Sequence, residues 1–314
     1  MLVTGAFGFI GTAVVSCLTS ASHEVVALTH QPPDVPLLKS SASKVVYADV
    51  RDARAIREAV SDLDAVCHLA ALTRLHESFQ RSMEYQQVNV TGTKNIVDAL
   101  ISRVAETGQP ALLVQASSQA VYGASVHQPI TEDSLLAPTS PYGESKVDAE
   151  RVVAAAASTG ALGAVCLRVS NVAGAVAGRT DMNDAHIVPR TLAVAAGRGT
   201  VLEINGDGCA IRDFVHVQDV ATAFLLALTA CRTGACAVYN VGATAASILD
   251  VITVAEQITG RSIPVIHNPP KEAEVRVAIA DTTRIRSELS WVPARSSISQ
   301  IIGDAWAATL SSCS

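Results

Sequence analysis

The chain has 314 residues and a formal net charge of −6, and 49% of it is hydrophobic but only 4% aromatic; this gives room for one large α/β domain, or a nucleotide domain with an attached lobe, around an aliphatic core. The acidic balance gives no electrostatic reason to expect nucleic acid or an anionic membrane as partner, and no apolar run approaches the roughly 20 residues that cross a bilayer. Seven scattered cysteines without a CxxC read as reduced thiols of a cytoplasmic protein, and no histidine pairs with a carboxylate at metal-ligand spacing, so no metal site is expected.

In chain order, Leu2-Val3 opens as a strand directly after Met1, so no signal peptide is expected. Ile10, Ala13, Val14, Cys17, Leu18 and Ala21 then fall at helical spacing. Val25–Leu28 and Val45–Ala48 are buried strand runs, followed by a short charged helix at Ala53–Val60. Strands at Ala65–Leu69, Leu112–Val114 and Val165–Leu167, with helices near 82–101 and 142–157, complete a βαβ series. Apolar strands alternating with amphipathic helices mean a parallel sheet covered on both faces, a doubly wound α/β fold. Residues 171–188, rich in Gly, Asn, Asp and Thr, read as a long functional loop. A helix near 189–196, a strand near 201–204, a helix at 218–230 and a last sheet strand at Val238–Val241 follow, then helices at 248–258 and 297–310. The expected division is a dinucleotide-binding domain of 1–170 plus about 214–242, and a smaller substrate-binding lobe of about 171–213 plus 243–314.

Gly5-Ala6-Phe7-Gly8-Phe9-Ile10-Gly11 lies between the first strand and the first helix. Glycines allow a sharp turn and close approach to a pyrophosphate, and the helix N-terminus offers unpaired N–H groups and a positive dipole end. Pro141-Tyr142-Gly143-Glu144-Ser145-Lys146 places a phenol and an ammonium four residues apart, on one helical face. A free tyrosine has a pKa of about 10, and bringing it down by about 3 units takes about 4 kcal/mol of differential stabilisation; a nearby lysine cation acts in that direction.

Together these stretches make the chain resemble the extended short-chain dehydrogenase/reductase (NAD-dependent epimerase/dehydratase) family, and within it the UDP-glucose 4-epimerases. The resemblance implies a Rossmann-like sheet, a homodimer, and a cofactor held by Gly5, Phe7, Gly8, Phe9, Ile10 and Gly11. It also implies Thr29 and His30 after the second strand, an adenine contact at Asp49-Val50, and Leu69-Ala70-Ala71 in the stretch that passes beneath the cofactor. Asn89 belongs to the family's structural asparagine helix, and Tyr142 and Lys146 meet cofactor as well as substrate. The cofactor implied is NAD, with NADP left open. Leu28-Thr29-His30-Gln31 lacks the acid that would accept the ribose hydroxyls of NAD, and equally lacks an arginine for a 2′-phosphate.

In the family a Ser/Thr five residues before Gly123 contacts the reacting hydroxyl; here it is Ser118, while Ser117 reads as structural. Related dehydratases and decarboxylases carry carboxylates just after that residue, where this chain has Gln119 and Ala120, which cannot serve as acid or base. The substrate side resembles the family at Asn171 and at Arg212-Asp213-Phe214-Val215-His216-Val217-Gln218-Asp219. Arg212 there would meet a pyrophosphate with its planar donor fork, against the alternative of a surface ion pair with Asp213. Lys271 stands where the family has a second arginine, and Arg74, Ser78 and His186 are candidates for the sugar pocket.

The function implied is an NAD(P)-dependent 4-epimerase of a nucleotide sugar, a UDP- or dTDP-hexose, passing through a 4-keto intermediate with Ser118, Tyr142 and Lys146 catalytic. A net reductase or dehydrogenase of a keto sugar or other secondary alcohol, and a non-catalytic dinucleotide sensor, stay open as alternatives.

Overall fold

The computed structural model describes residues 1–31, 42–125, 127–270 and 275–311. The first part of the chain runs β1 (Leu2–Thr4), α1 (Phe9–Ser20), β2 (Val26–Thr29), β3 (Lys44–Tyr47), α2 (Ala53–Val60), β4 (Ala65–His68), α3 (Leu75–Ser78), α4 (Ser82–Tyr85), α5 (Gly92–Thr107), β5 (Ala111–Ser118), α6 (Pro141–Ser158) and β6 (Leu162–Val169). It continues through β7 (Asn171–Ala173), β8 (Ala175–Val176), β9 (Arg179–Thr180), α7 (Ile187–Ala195), β10 (Leu202–Asn205), β11 (Ile211–His216), α8 (Val217–Ala230), β12 (Cys236–Val241), β13 (Thr244–Ser247), α9 (Ile248–Thr259), β14 (Val265–Asn268), β15 (Val277–Ala278), α10 (Thr283–Leu289) and α11 (Ile298–Ser311).

Seven strands pair in the order β12-β6-β5-β4-β1-β2-β3, every pair parallel. All residues of β4 and β6 are buried, as expected of strands covered on both faces. Helices α1 and α8 pack together, while α2, α5 and α6 form a second helical group. Two cores result, one with Val14, Leu18, Phe224 and Trp291, the other with Ile56, Ile96, Leu100 and Val153. The chain leaves β3 at one edge and returns to the other side of β1 as β4, so strand order reverses between β1 and β4. Open α/β sheets bind ligands at that crevice, outside the carboxyl ends of the strands. A third core gathers Val188, Leu192, Ile204, Phe214, Ile252 and Ile301.

Two elements differ from the periodicity reading. The expected helix over 82–101 is interrupted by a π-helical turn at Gln86–Thr91 and runs on to Thr107, ended by left-handed Gly108. The expected loop 171–188 contains three short strands: β7 pairs with β11, and β8 and β9 form a hairpin. Strands of two or three residues are too short to leave a period-2 signal. Among the described residues no helix is long and apolar enough to cross a membrane.

Candidate active site

The glycine loop closes on the end of β4. Gly5 has φ of +62°, and a Cβ there would lie 2.8 Å from the Ala70 backbone nitrogen, so both conformation and space require glycine. The loop is pinned by Ala6 N–H to Leu28 O (3.3 Å) and Gly8 N–H to Gly5 O (3.0 Å). Gly8 is the N-cap of α1, no side chain caps that end, and the first turn holds no acidic residue. The first-turn N–H groups near Phe9, Ile10 and Gly11 are therefore left for an anion, with Phe7 and Phe9 partly buried beside them. This cradle fits a dinucleotide pyrophosphate.

Thr4 organises the floor of the crevice. Its buried hydroxyl accepts from Leu69 N–H and Ala70 N–H at 3.1 Å each and lies 2.6 Å from His68 Nδ1. With both lone pairs taken, the hydroxyl proton goes to Nδ1. His68 is then neutral with its proton on Nε2, and burial together with the Lys146 charge holds its pKa down at about 3. After β3, Asp49 is gripped by Arg51 Nε and Nη2 (3.0 and 2.6 Å), which holds its carboxyl below the usual range, with His30 adding to the effect. Val50 is buried, and Thr29 donates to Gln31 O (2.9 Å). Asn89, read as the structural asparagine and as a cofactor contact, spends its amide within the chain. Its amide pairs with Leu72 N–H and O (2.8 and 3.0 Å) and donates to Ser145 Oγ (2.9 Å), tying the segment after β4 to α6.

Ser118 ends β5 and Tyr142 lies in the first turn of α6. Gly143 brings them together, because a Cβ there would lie 2.6 Å from Ala120 O and 2.9 Å from Pro138 Cβ; only glycine lets the helix start sit against the corner after Ser118. Ser140 caps the helix by accepting from Gly143 N–H (3.1 Å). The Ser118 hydroxyl accepts from Ala120 N–H (3.2 Å) and acts on the Tyr142 phenol to lower its pKa. Tyr85 meets the Tyr142 ring edge-on, with centroids 6.3 Å apart.

The spacing predicts an ammonium beside the phenol, lowering its pKa. Without ligand the balance runs the other way. Burial pushes the Tyr142 phenol up and only the Ser118 hydrogen bond opposes it, while Lys146, 4% exposed, donates to Ala116 O at 2.9 Å. The phenol is thus protonated in the ligand-free chain, and Lys146, brought down to about 8 by burial, stays mostly cationic at neutral pH.

Arg212 and Asp213, expected on the substrate side, are not partners. Asp213 is 2% exposed and its carboxylate accepts from Ala243 N–H (2.8 Å) and Ala280 N–H (3.0 Å). Neighbouring residues on a strand face opposite ways, and Arg212 Nη1 donates to Ile211 O (2.9 Å). Asp219 likewise holds Ala294 N–H, Arg295 N–H and Ser296 Oγ, so much of the Arg212–Asp219 signature is architecture. Asn171 donates to Asp213 O (2.9 Å). Arg74 pairs with Asp184 (2.9 Å), which brings the segment after β4 to the loop before α7, and within that loop His186 pairs with Asp181 (2.6 Å). Ser78 is fully buried and donates to Leu75 O (2.6 Å), a local helical contact rather than the pocket group expected. Lys271 lies outside the described residues.

Residues 1–242 match the model of the NAD dependent epimerase/dehydratase family. The chain belongs to this family. It is 32% identical to the UDP-glucose 4-epimerase of Streptomyces lividans over 97% of its length and 94% of that protein's, and 32% identical to that of Lacticaseibacillus casei over 97% and 95%. A crystal structure of UDP-glucose 4-epimerase from Stenotrophomonas maltophila with bound NAD and formylated UDP-arabinopyranose superposes with a TM-score of 0.89 at 29% identity, covering 100% of this chain and 99% of that one. The Brucella ovis UDP-glucose 4-epimerase in complex with NAD gives 0.87 at 29% identity, covering 97% and 96%.

Several residues that build this epimerase/dehydratase site escaped the sequence reading. Thr4 and Tyr85 carry no motif, and their partners lie far along the chain. Arg179 on β9 reaches the glycine loop, with Nη1 at 3.3 Å from Thr12 Oγ1 and 3.5 Å from Phe7 O. Only a contact between distant segments could have revealed it.

Proposed function

We propose that this chain is an NAD-dependent sugar-nucleotide 4-epimerase acting on a UDP- or dTDP-hexose through a transient 4-keto sugar. The observation that carries the proposal is Ser118 at the carboxyl end of β5 acting on the buried Tyr142 phenol, with Lys146 one helical turn along α6. A nicotinamide bound there would supply the acceptor for the hydride of sugar carbon 4 and the donor for its return to the other face of the 4-keto sugar. Its positive charge also favours the phenolate. Tyr142 takes the proton of the 4-hydroxyl and later gives it back, and Ser118 steadies the reacting oxygen by hydrogen bonding. Lys146 holds the cofactor ribose and adds positive charge to the cleft. Gln119 and Ala120 offer no carboxylate for an elimination, which favours epimerisation over dehydration.

In this reading Gly5, Phe7, Gly8, Phe9, Ile10 and Gly11 hold the pyrophosphate, Asp49 and Val50 the adenine, and Arg212, Asn171, Arg74 and His186 the nucleotide sugar. Residues about 171–213 and 243–314 form the substrate lobe, and the enzyme is a cytoplasmic homodimer. The test is to denature purified protein, identify the released dinucleotide by mass, and assay UDP- and dTDP-hexoses for isomer formation. Retained NAD with isomer formed supports the proposal. Freely exchanging NADPH with net reduction of a keto sugar would replace it with a reductase.

A further inference from the structure

Behind the proposed catalytic group lies a buried ionic cluster with no place in the chemistry described so far. Lys146 and Glu150 are one turn apart on α6, 4% and 7% exposed. The Lys146 ammonium donates to Ala116 O, and the hydroxyl of the next residue, Ser117, donates to Glu150 Oε1 at 2.5 Å. Arg168, register partner of Ser117 on β6, grips the same carboxylate from the other side, Nε to Oε1 at 3.0 Å and Nη2 to Oε2 at 2.7 Å. Its Nη1 donates to Tyr122 Oη and Glu132 O, both at 2.9 Å, and its guanidinium lies 5.0 Å from the centre of the Tyr122 ring. Tyr122 Oη in turn donates to Asn240 Oδ1 (2.7 Å). The Glu150 carboxylate is thus fixed by three donors and cannot swing.

We infer that Glu150 is a positioning residue, whose clamped carboxylate is the counter-charge that keeps the buried Lys146 ammonium protonated and directed at the end of β5. The groups packed around Lys146 support this. On α6, Tyr142 has its phenol pushed up by burial. On β4, His68 is held neutral. On β6 the Cys166 thiol is raised well above its ordinary value by its contact with Cys236 on β12, 3.8 Å away. Among these described neighbours Glu150 and Arg168 form the ion pair, Nη2 to Oε2 at 2.7 Å. Burial drives Lys146 towards neutrality, and Glu150 is the largest influence opposing it. With Glu150 removed, the ammonium would share its pocket with an uncompensated arginine.

The test is direct titration of Lys146, independent of turnover and so of the reaction proposed above. The chain has five lysines, so protein labelled isotopically at the lysine ε-carbon gives few NMR signals, and Lys146→Met assigns the one of interest. The parent signal is expected to titrate near 8. Glu150→Gln, which keeps an acceptor for Ser117 and Arg168, should lower that midpoint by about 1–2 units. Glu150→Gln with Arg168→Gln should fall between the two, because both charges are gone. The alkaline limb of the kcat profile should move in the same order. A midpoint in Glu150→Gln equal to the parent's, or a double variant lower than the single, overturns the inference. If the single variant does not fold, the double variant decides: a midpoint below the parent's supports the inference, and an unmoved one refutes it.

Discussion

The Tyr85 and Tyr142 rings meet in a T-shaped pair at an interplanar angle of 80°, while the Tyr85 hydroxyl donates to Arg74 O at 2.6 Å. One buried side chain thereby orients the phenol and anchors the segment expected to face the sugar. The two jobs separate by mutation. Tyr85→Phe keeps the ring contact and loses the anchor, so it should raise KM for the nucleotide sugar with kcat little changed. Tyr85→Leu loses the ring contact and should lower kcat by about tenfold to a hundredfold, the scale of a misplaced reacting group. Steady-state kinetics of the pair check this; equal kcat values in both would remove Tyr85 from the positioning of Tyr142.

Tyr142→Phe deletes the oxygen proposed as acid and base and leaves the glycine loop untouched. Turnover should fall by about 100- to 10,000-fold, with as much NAD released from the denatured variant as from the parent. Near-normal turnover would place the proton transfer elsewhere.

The pH behaviour has a definite sign. Lys146 loses its proton near 8, so kcat should fall as pH rises through that value. Because burial raises the Tyr142 phenol in the ligand-free chain, no tyrosinate absorbance from this residue is expected at neutral pH. Adding NAD to cofactor-depleted protein should produce it, and the same addition to Tyr142→Phe should not. A tyrosinate signal already present before NAD is added would contradict this.

Thr4 carries three partners on one buried hydroxyl. Thr4→Val keeps the shape and strands Leu69 N–H, Ala70 N–H and His68 Nδ1, so the folded state should lose about 1–3 kcal/mol for each polar group left unpaired. Urea denaturation reads the change. A loss below that range would mean the crevice floor is held by something else.

Much of the fold was legible because its signals are local. The glycine loop, the apolar runs of β4 and β6, and Tyr142 with Lys146 on one helical face all declare themselves within a few residues. Asp52 capping α2, accepting from Arg54 and Ala55 N–H, is equally local. What escaped depends on pairs distant in sequence. Tyr85 meets Tyr142 only because the π-helical turn after α4, held by Asn89, brings that segment against α6. Asp213 was read as a possible partner of its neighbour Arg212, yet strand alternation sends it inward to the backbone of Ala243 and Ala280. Ser78 looked like a pocket residue, but a single helical turn consumes its hydroxyl. The 171–188 segment has a loop's composition and forms its short strands only because β11 and its own hairpin supply partners.

The most direct test of the central claim follows the atom that the proposed chemistry moves. The enzyme is given a UDP-hexose carrying deuterium at carbon 4, and the 4-epimer is analysed by mass and NMR. The account predicts that the epimer keeps deuterium at carbon 4, with no net reduction of added cofactor. Loss of the label to solvent, or its accumulation in free reduced cofactor without epimer, would contradict it.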